Sequence, residues 1–305
     1  MSEFAIETEA LTKRYGKQTV VNDLTLQIPR GTVVGFVGPN GAGKTTTMRM
    51  LLGLVHPSKG SGTVLGQPIT KPERYIHKVG ALIEGPAFVP GLSGRHNLQI
   101  LTTLGGHDAD RIDPLLEQVS LRGRENDRYK TYSLGMKQRL GLAAALLCEP
   151  ELLILDEPVN GLDPAGIADV RALLRTFASQ GGTVFISSHL LSELELVSDH
   201  LVLINGGELV YAGGITDLTE SSGRLIVTTA RPEDLIVVER IAHEVGFSYE
   251  LNNNQARITA PAEFAGELNR RCFEAGVVLE ELSRERTSLE DVFLSITESD
   301  TNVLV

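Results

Sequence analysis

The segment GPNGAGKT, at residues 38–45, is the feature that most constrains how this chain can fold. It fits the pattern G-x4-G-K-[ST], follows the apolar run VVGFV and precedes a stretch with helical spacing at residues 46–54. Glycines permit positive φ angles and close backbone approach, so successive N–H groups can point inward at phosphate oxygens. A strand, this loop and the N-terminus of a helix together predict a binding site for a nucleotide polyphosphate.

The same pattern assigns roles within the loop. Lys44 can reach the β- and γ-phosphates, and the Thr45 hydroxyl can bind Mg²⁺. We therefore expect a nucleotide and Mg²⁺ at this loop. The predicted nucleotide contacts in this segment are Gly38, Pro39, Asn40, Gly41, Ala42, Gly43, Lys44, Thr45 and Thr46.

Two more apolar runs, LLIL at residues 152–155 and TVFIS at residues 183–187, are typical of strands buried on both faces of a parallel sheet. The first ends on Asp156 and Glu157. A carboxylate at the end of a buried strand beside the phosphate loop is placed to bind Mg²⁺, and we assign this role to Asp156. Glu157 points elsewhere and can polarise an attacking water.

A second domain is expected after about residue 218. From Glu220 onward the chain carries 8 arginines, no lysine and 16 acidic residues, a marked shift in composition. The patterns predict strands at 224–230, 247–251, 256–260 and 277–282, with helices at 232–245 and 261–274. The order β-α-β-β-α-β is that of a ferredoxin-like unit. We predict an α/β domain at residues 1–218, mostly helical over about 88–148, and a small α+β accessory domain at 219–305.

Five motifs occur in one order: GPNGAGKTT, YSLGMKQR at 132–139, LLILDEP, NGLDP at 160–164 and SSH at 187–189. In this order and spacing they resemble the ATP-binding subunits of ABC transporters, over residues 1 to about 218. The resemblance implies the P-loop NTPase fold of an ABC ATPase, with a mostly parallel core sheet, an antiparallel β subdomain and a helical subdomain. It also implies ATP hydrolysis that drives transport.

The resemblance further implies that two chains pair head to tail as a homodimer or with another ATPase. Ser133 and Gly135 would then face the γ-phosphate held by the partner's loop. Asp163 resembles the residue that shapes the dimer-interface loop, and Tyr15 resembles the aromatic that stacks on adenine. His189 resembles the switch histidine, so that Lys44, Glu157 and His189 form the catalytic set. Leu134 and Met136 depart from the family's usual Gly and Gln, but we expect the site to function.

Glu84 ends the apolar run VGALI at residues 79–83, just before Gly85 and Pro86. In the family this position usually holds a Gln that contacts Mg²⁺ and the attacking water. A carboxylate keeps a hard oxygen for Mg²⁺ but loses the donors of the amide. The acidic form resembles that of bacitracin- and lantibiotic-type exporters, so Glu84 is a candidate metal ligand. A solvated loop residue is the alternative.

The segment TSLEDVF at residues 287–293 resembles the tail of exporter ATPases of the ABC-2 kind. With no apolar run long enough to span a bilayer, the resemblance implies separate ABC-2 type permease subunits and a cytoplasmic chain peripheral to the membrane. The cargo would be a drug, antibiotic, peptide or similar compound. The net charge of −11 argues against nucleic-acid binding. The alternatives are a soluble ABC-type ATPase of repair or translation, or a regulatory ATPase outside transport.

Overall fold

The computed structural model of the chain describes residues 2–85, 87–189, 191–219, 223–252, 254–261, 263–285 and 289. The chain divides into two compact units, Met1–Ile215 and Thr216–Val305. In chain order, the strands of the first unit are β1 (Phe4–Tyr15), β2 (Gln18–Pro29), β3 (Val33–Val37), β4 (Lys59–Val64), β5 (Gln67–Pro68), β6 (Val79–Leu82), β7 (Leu152–Asp156), β8 (Thr183–Ser187), β9 (His200–Asn205) and β10 (Glu208–Gly214). Its helices are α1 (Lys44–Leu51), α2 (Gly94–Gly105), α3 (Ile112–Gln118), α4 (Leu134–Leu146), α5 (Pro164–Ser179) and α6 (Leu191–Val197). Helix α7 (Ile215–Thr219) begins at Ile215, the last residue of the first unit.

A six-stranded sheet with the order β10-β9-β3-β8-β7-β6 forms the centre of the first unit. The five strands from β9 to β6 are parallel, and β10 pairs antiparallel with β9 at one edge. Every residue of β3, β7 and β8 is buried, which confirms the three strands predicted from continuous apolar runs. The phosphate loop, Asp156 and Ser187 therefore meet at the carboxyl edge of this sheet, where parallel sheets bind ligands.

A second, antiparallel sheet has the order β2-β1-β4-β5. Its buried residues Leu11, Leu24 and Val64 share one hydrophobic core with Phe36 of β3 and Phe185 of β8. The rings of Phe36 and Phe185 stack with centroids 4.9 Å apart. This shared core fixes the antiparallel sheet against the central sheet, as the antiparallel β subdomain predicted from the resemblance requires.

The segment between β6 and β7 contains α2, α3 and α4, which confirms a mostly helical region there. Helix α4 begins at Leu134, directly after Ser133, which caps it. Helix α1 begins two residues earlier than predicted, at Lys44, and it ends at Leu51. Gly53, two residues later, has a φ of +71°, the left-handed conformation that commonly stops a helix.

The second unit contains β11 (Arg224–Thr229), α8 (Leu235–Glu244), β12 (Ser248–Asn252), β13 (Gln255–Thr259), α9 (Phe264–Glu274) and β14 (Leu279–Arg284). Its strands form an antiparallel sheet in the order β12-β13-β11-β14. Both helices contribute to a separate core that includes Val227, Val238, Ile258, Leu268 and Cys272. The exporter-like segment at residues 287–293 lies outside the described residues apart from Leu289. Among the described helices, none has the length and apolarity needed to cross a membrane.

Candidate nucleotide-binding site

The phosphate loop connects β3 to α1 through backbone that only glycine accommodates at two positions. Gly43 has a φ of +101°, and a Cβ there would lie 2.6 Å from the carbonyl oxygen of Val20. A Cβ on Gly38 would collide with the carbonyl oxygen of Ile204. The close approach of β2 and β9 to the loop therefore explains why both positions are glycine.

Lys44 lies inside the loop. Its Nζ donates hydrogen bonds to the carbonyl oxygens of Gly38 at 2.6 Å and Pro39 at 3.3 Å. Burial lowers the pKa of Lys44 from its usual value, while the carboxylates of Glu157 and Asp156 act in the opposite direction. The ammonium group is thus held at the loop, where a phosphate oxygen could replace its carbonyl partners.

A cleft of about 240 Å³ opens beside the loop. The residues that line it are Val20, Asn40, Gly41, Gly43, Lys44, Thr45, Thr46, Asp156 and Glu157. Most of these are the residues predicted from sequence, and the structure brings the loop and the end of β7 together as expected. Val20 was not predicted, because nothing in the sequence places the β2 strand beside the loop.

Asp156 is buried at the end of β7 and accepts two hydrogen bonds. Thr45 Oγ1 donates to its Oδ2 at 2.7 Å, and Ser187 Oγ donates to its Oδ1 at 2.6 Å. A hydroxyl and a carboxylate oxygen in contact are hard ligands of the kind that Mg²⁺ prefers. The pair Thr45 and Asp156 therefore fits a Mg²⁺ ion, and Ser187 orients the carboxylate from behind.

Glu157 adopts a left-handed conformation with a φ of +52°. Its amide donates to Ser187 Oγ at 3.1 Å and to the Ser187 carbonyl at 3.2 Å. Its Oε2 accepts hydrogen bonds from the backbone N of His189 at 3.2 Å and from the ring Nδ1 of His189 at 2.6 Å. The end of β8 therefore fixes both the backbone and the carboxylate of Glu157.

Ser187 was not predicted as a site residue, although it begins the SSH motif. Its role depends on the pairing of β7 with β8, which sets Asp156 opposite Ser187. The available signal was that one predicted strand ends on a hydroxyl residue, Ser187, while another ends on the predicted metal ligand Asp156.

The remaining predicted residues lie in three other places. Ser133 caps α4, accepting a hydrogen bond from the N of Met136 at 3.2 Å, and Asp163 caps α5, accepting one from the N of Gly166 at 2.9 Å. Gly135 packs against Leu162, since a Cβ on it would lie 3.0 Å from Leu162 Cδ2. Tyr15 is half-exposed, with Lys13 Nζ 4.9 Å from its ring centroid, and is not among the described residues that line the phosphate cleft.

Glu84 follows β6 and forms an ion pair with Arg49 of α1. It lines a larger cleft of about 760 Å³ together with Asp156, Glu157, Gln138 and Lys137. Asp156 and Glu157 thus face both clefts. The three carboxylates lie around one continuous region beside the phosphate loop.

This fold and site define a P-loop ATPase. The family model described as ABC transporter matches residues 21–160. The bacitracin transport ATP-binding protein BcrA of Enterococcus faecalis is 40% identical over 299 residues, which are 95% of this chain and 96% of that protein. The lantibiotic transport ATP-binding protein SrtF of Streptococcus pyogenes is 43% identical over 205 residues, 67% of this chain and 89% of that protein.

A solved structure of an ATP-binding subunit of an ABC transporter superposes with a TM-score of 0.65 and 30% identity, covering 70% of this chain and 91% of that one. The chain belongs to the family of ABC transporter ATP-binding proteins, as the five sequence motifs predict. It is an ATP-binding and ATP-hydrolysing subunit.

Proposed function

We propose that this chain powers the export of an antibiotic, drug or peptide cargo through separate membrane permease subunits of the ABC-2 type. The observation that carries the proposal is the 40% identity to a bacitracin transport ATP-binding protein across 95% of the chain. That coverage includes most of the second unit as well as the ATPase unit. The chain would then lie at the cytoplasmic face of the membrane, held there by its permease.

Within the site, the proposed catalytic residues are Lys44, Glu157 and His189. The short contact between His189 Nδ1 and Glu157 Oε2 supports this assignment, because it orients the carboxylate that would polarise the attacking water. Thr45 and Asp156 are the proposed ligands of Mg²⁺, which would neutralise phosphate charge there. Lys44 and the amides of residues 38–46 would hold the phosphates, and Tyr15 would stack on the adenine ring.

We further propose that two chains pair so that each completes the ATP site of the other. The N-terminus of α4 carries the exposed Ser133 beside Leu134, whose side chain is also exposed. A helix N-terminus favours an anion such as a γ-phosphate. Ser133 and Gly135 would supply this contact, and Asp163 would shape the adjoining loop by capping α5.

Glu84 is the proposed link between the nucleotide and the permease. Its position in the same cleft as Asp156 and Glu157 supports a role at the metal ion in the closed dimer. The helical subdomain that follows it would receive the permease. The second unit, whose sheet has the order β12-β13-β11-β14, is proposed as a ferredoxin-like accessory domain for protein contact. Its acidic composition disfavours nucleic acid as a ligand.

The proposal is tested by isolating the tagged chain from detergent-solubilised membranes. We expect a protein with several membrane spans to co-purify, and ATP hydrolysis by the complex to respond to its cargo. Glu157→Gln should lower hydrolysis by about 10²- to 10⁴-fold and leave the complex intact. Recovery of the native chain with ribosomes or DNA, and never with a membrane protein, would contradict export and favour the soluble alternatives.

A further inference from the structure

One face of α1 holds the carboxylates at the ends of two neighbouring strands. Thr45 contacts Asp156, the last residue of β7, and Arg49 contacts Glu84, two residues after the end of β6. Thr45 and Arg49 are four residues apart, so they lie one above the other on the helix. Strands β6 and β7 are paired in register, with Leu82 opposite Leu155. The helix that begins at the phosphate loop therefore contacts both carboxylates through side chains one turn apart.

The backbone at Glu84 is in a conformation that such a residue seldom adopts. Glu84 has a φ of +58° and Gly85 a φ of +84°. A residue other than glycine remains in this region only where its surroundings hold it there. The ion pair with Arg49 provides such a restraint, because it anchors the side chain of Glu84 to a rigid helix.

Charge gives the ion pair a second consequence. Glu84 lines one cleft with Asp156 and Glu157, and these two carboxylates also line the cleft beside the phosphate loop. Glu84 therefore adds a third carboxylate next to the place where nucleotide phosphates would bring further negative charge. Carboxylates and phosphates carry charge of the same sign and repel each other, and this repulsion is stronger in a partly desolvated cleft than in bulk water. Arg49 is in direct contact with Glu84 and offsets its charge before any metal ion binds.

We propose that Arg49 is a positioning residue that holds and neutralises Glu84, so that an acidic side chain can stand beside the nucleotide phosphates. This inference rests on the proposed placement of Glu84 at the nucleotide site. Arg49 acts through Glu84 and not through a contact of its own with the phosphates. Loss of the Arg49 side chain therefore lowers nucleotide affinity only as long as position 84 carries a negative charge.

The test measures binding of a fluorescent ATP analogue in EDTA, so that neither hydrolysis nor a metal ion contributes to the signal. Arg49→Gln should weaken this binding about tenfold, as expected for an uncompensated charge near the phosphates. Glu84→Gln should bind at least as tightly as the wild type. Adding Arg49→Gln to Glu84→Gln should then change the affinity by less than about twofold.

Arg30→Gln is the matched control. Arg30 is also paired with a glutamate, Glu151, at 3.3 Å, and its side chain is 28% exposed against 33% for Arg49. Glu151 precedes β7, so this pair lies at the opposite edge of the sheet. Arg30→Gln removes the same charge and an arginine–glutamate ion pair, and it should leave nucleotide affinity unchanged. Arg49→Lys, which keeps the charge, should recover most of the affinity lost in Arg49→Gln.

Hydrogen exchange in the nucleotide-free protein gives an independent readout. Amides at residues 83–85 should exchange faster in Arg49→Gln than in the wild type or in Arg30→Gln. An equal affinity loss from Arg49→Gln in the wild-type and in the Glu84→Gln background would overturn the proposal, and so would unchanged exchange together with unchanged affinity. Either result would leave the export proposal standing, because that proposal depends on co-purification with a permease and on Glu157.

Discussion

The ring Nδ1 of His189 lies 2.6 Å from Glu157 Oε2, and the backbone N of His189 donates to the same oxygen at 3.2 Å. One residue at the end of β8 therefore fixes the carboxylate that follows β7. In Glu157→Gln we expect kcat for ATP hydrolysis to fall by about 10²- to 10⁴-fold, because the proposed general base is lost. Nucleotide affinity should stay within about threefold of the wild-type value.

Steady-state hydrolysis and fluorescent-nucleotide binding measure these two effects separately. Glu151→Gln is the matched control, since Glu151 lies just before β7 at the other edge of the sheet. His189→Ala should lower kcat in the same direction as Glu157→Gln. Full ATPase activity in Glu157→Gln would show that Glu157 is not a catalytic residue.

Ser187→Ala should weaken the proposed metal site although it replaces no predicted metal ligand. The Ser187 hydroxyl donates to Asp156 Oδ1 at 2.6 Å and accepts from the amide of Glu157 at 3.1 Å. Loss of such an outer contact typically costs about 10- to 100-fold in metal affinity or activity, so we expect a loss of that size. This loss is measured by following ATPase activity as a function of Mg²⁺ concentration. Ser179→Ala, on the exposed end of α5, should show no shift in the Mg²⁺ requirement.

Gly43→Ala should impair nucleotide binding more than Gly41→Ala. Both glycines have positive φ angles, but a Cβ at Gly43 would lie 2.6 Å from the Val20 carbonyl oxygen, whereas a Cβ at Gly41 meets nothing within 4 Å. The left-handed backbone costs roughly 1 kcal/mol or more for alanine at either position. The difference between the two variants therefore isolates the steric contact. Isothermal titration measures the ATP affinity of both variants. Equal affinities would contradict this explanation.

Ser133→Ala should destabilise the start of α4 and also lower ATP hydrolysis. The Ser133 hydroxyl accepts from the N of Met136, and losing such a cap costs about 1 kcal/mol. Ser93→Ala removes the corresponding cap of α2, where Ser93 accepts from the N of His96, and serves as the control. Both variants should melt at a lower temperature, but only Ser133→Ala should reduce hydrolysis in the dimer. Equal hydrolysis by the two variants would speak against a phosphate contact from Ser133.

Glu151→Gln should lower stability at neutral pH but not in acid. The hydrogen bond from Lys78 lowers the pKa of Glu151, and Arg30 acts in the same direction. A carboxylate with a lowered folded pKa stabilises the protein above its unfolded pKa, about 4.3, and this contribution disappears as pH falls through the folded pKa. Because Glu151 is partly exposed, we expect a loss of roughly 0.5–1 kcal/mol at pH 7. Denaturant unfolding at pH 7 and near pH 3 would measure it, with the exposed Glu9→Gln as control.

Continuous apolar runs made the central sheet predictable. The runs in β3, β7 and β8 could be buried only in the middle of a sheet, so their ends had to meet, and the contact between Thr45 and Asp156 followed. The Ser187 contact could not be predicted in the same way. It requires β8 to lie between β3 and β7, and this order comes from packing, which the sequence does not display.

The Arg49 contact was missed for a different reason. A lone arginine in a helix is ordinarily a solvated side chain, and no local pattern places the end of β6 beside α1. The start of α4 depends on the Ser133 cap, and a cap depends on a single side chain that periodic patterns do not reveal.

Among the described residues, one hydrophobic core of the first unit surrounds Phe36 and Phe185, and a separate core of the second unit surrounds Val227 and Leu268. The side chains of each core pack against one another, so substitutions in one core need no compensating change in the other. The two units can accordingly diverge at different rates. The ATPase unit is constrained by phosphate chemistry, whereas the second unit, which we propose contacts a partner protein, would be free to adapt to that partner. In a set of related chains, the second unit is where adaptation to individual cargoes should accumulate.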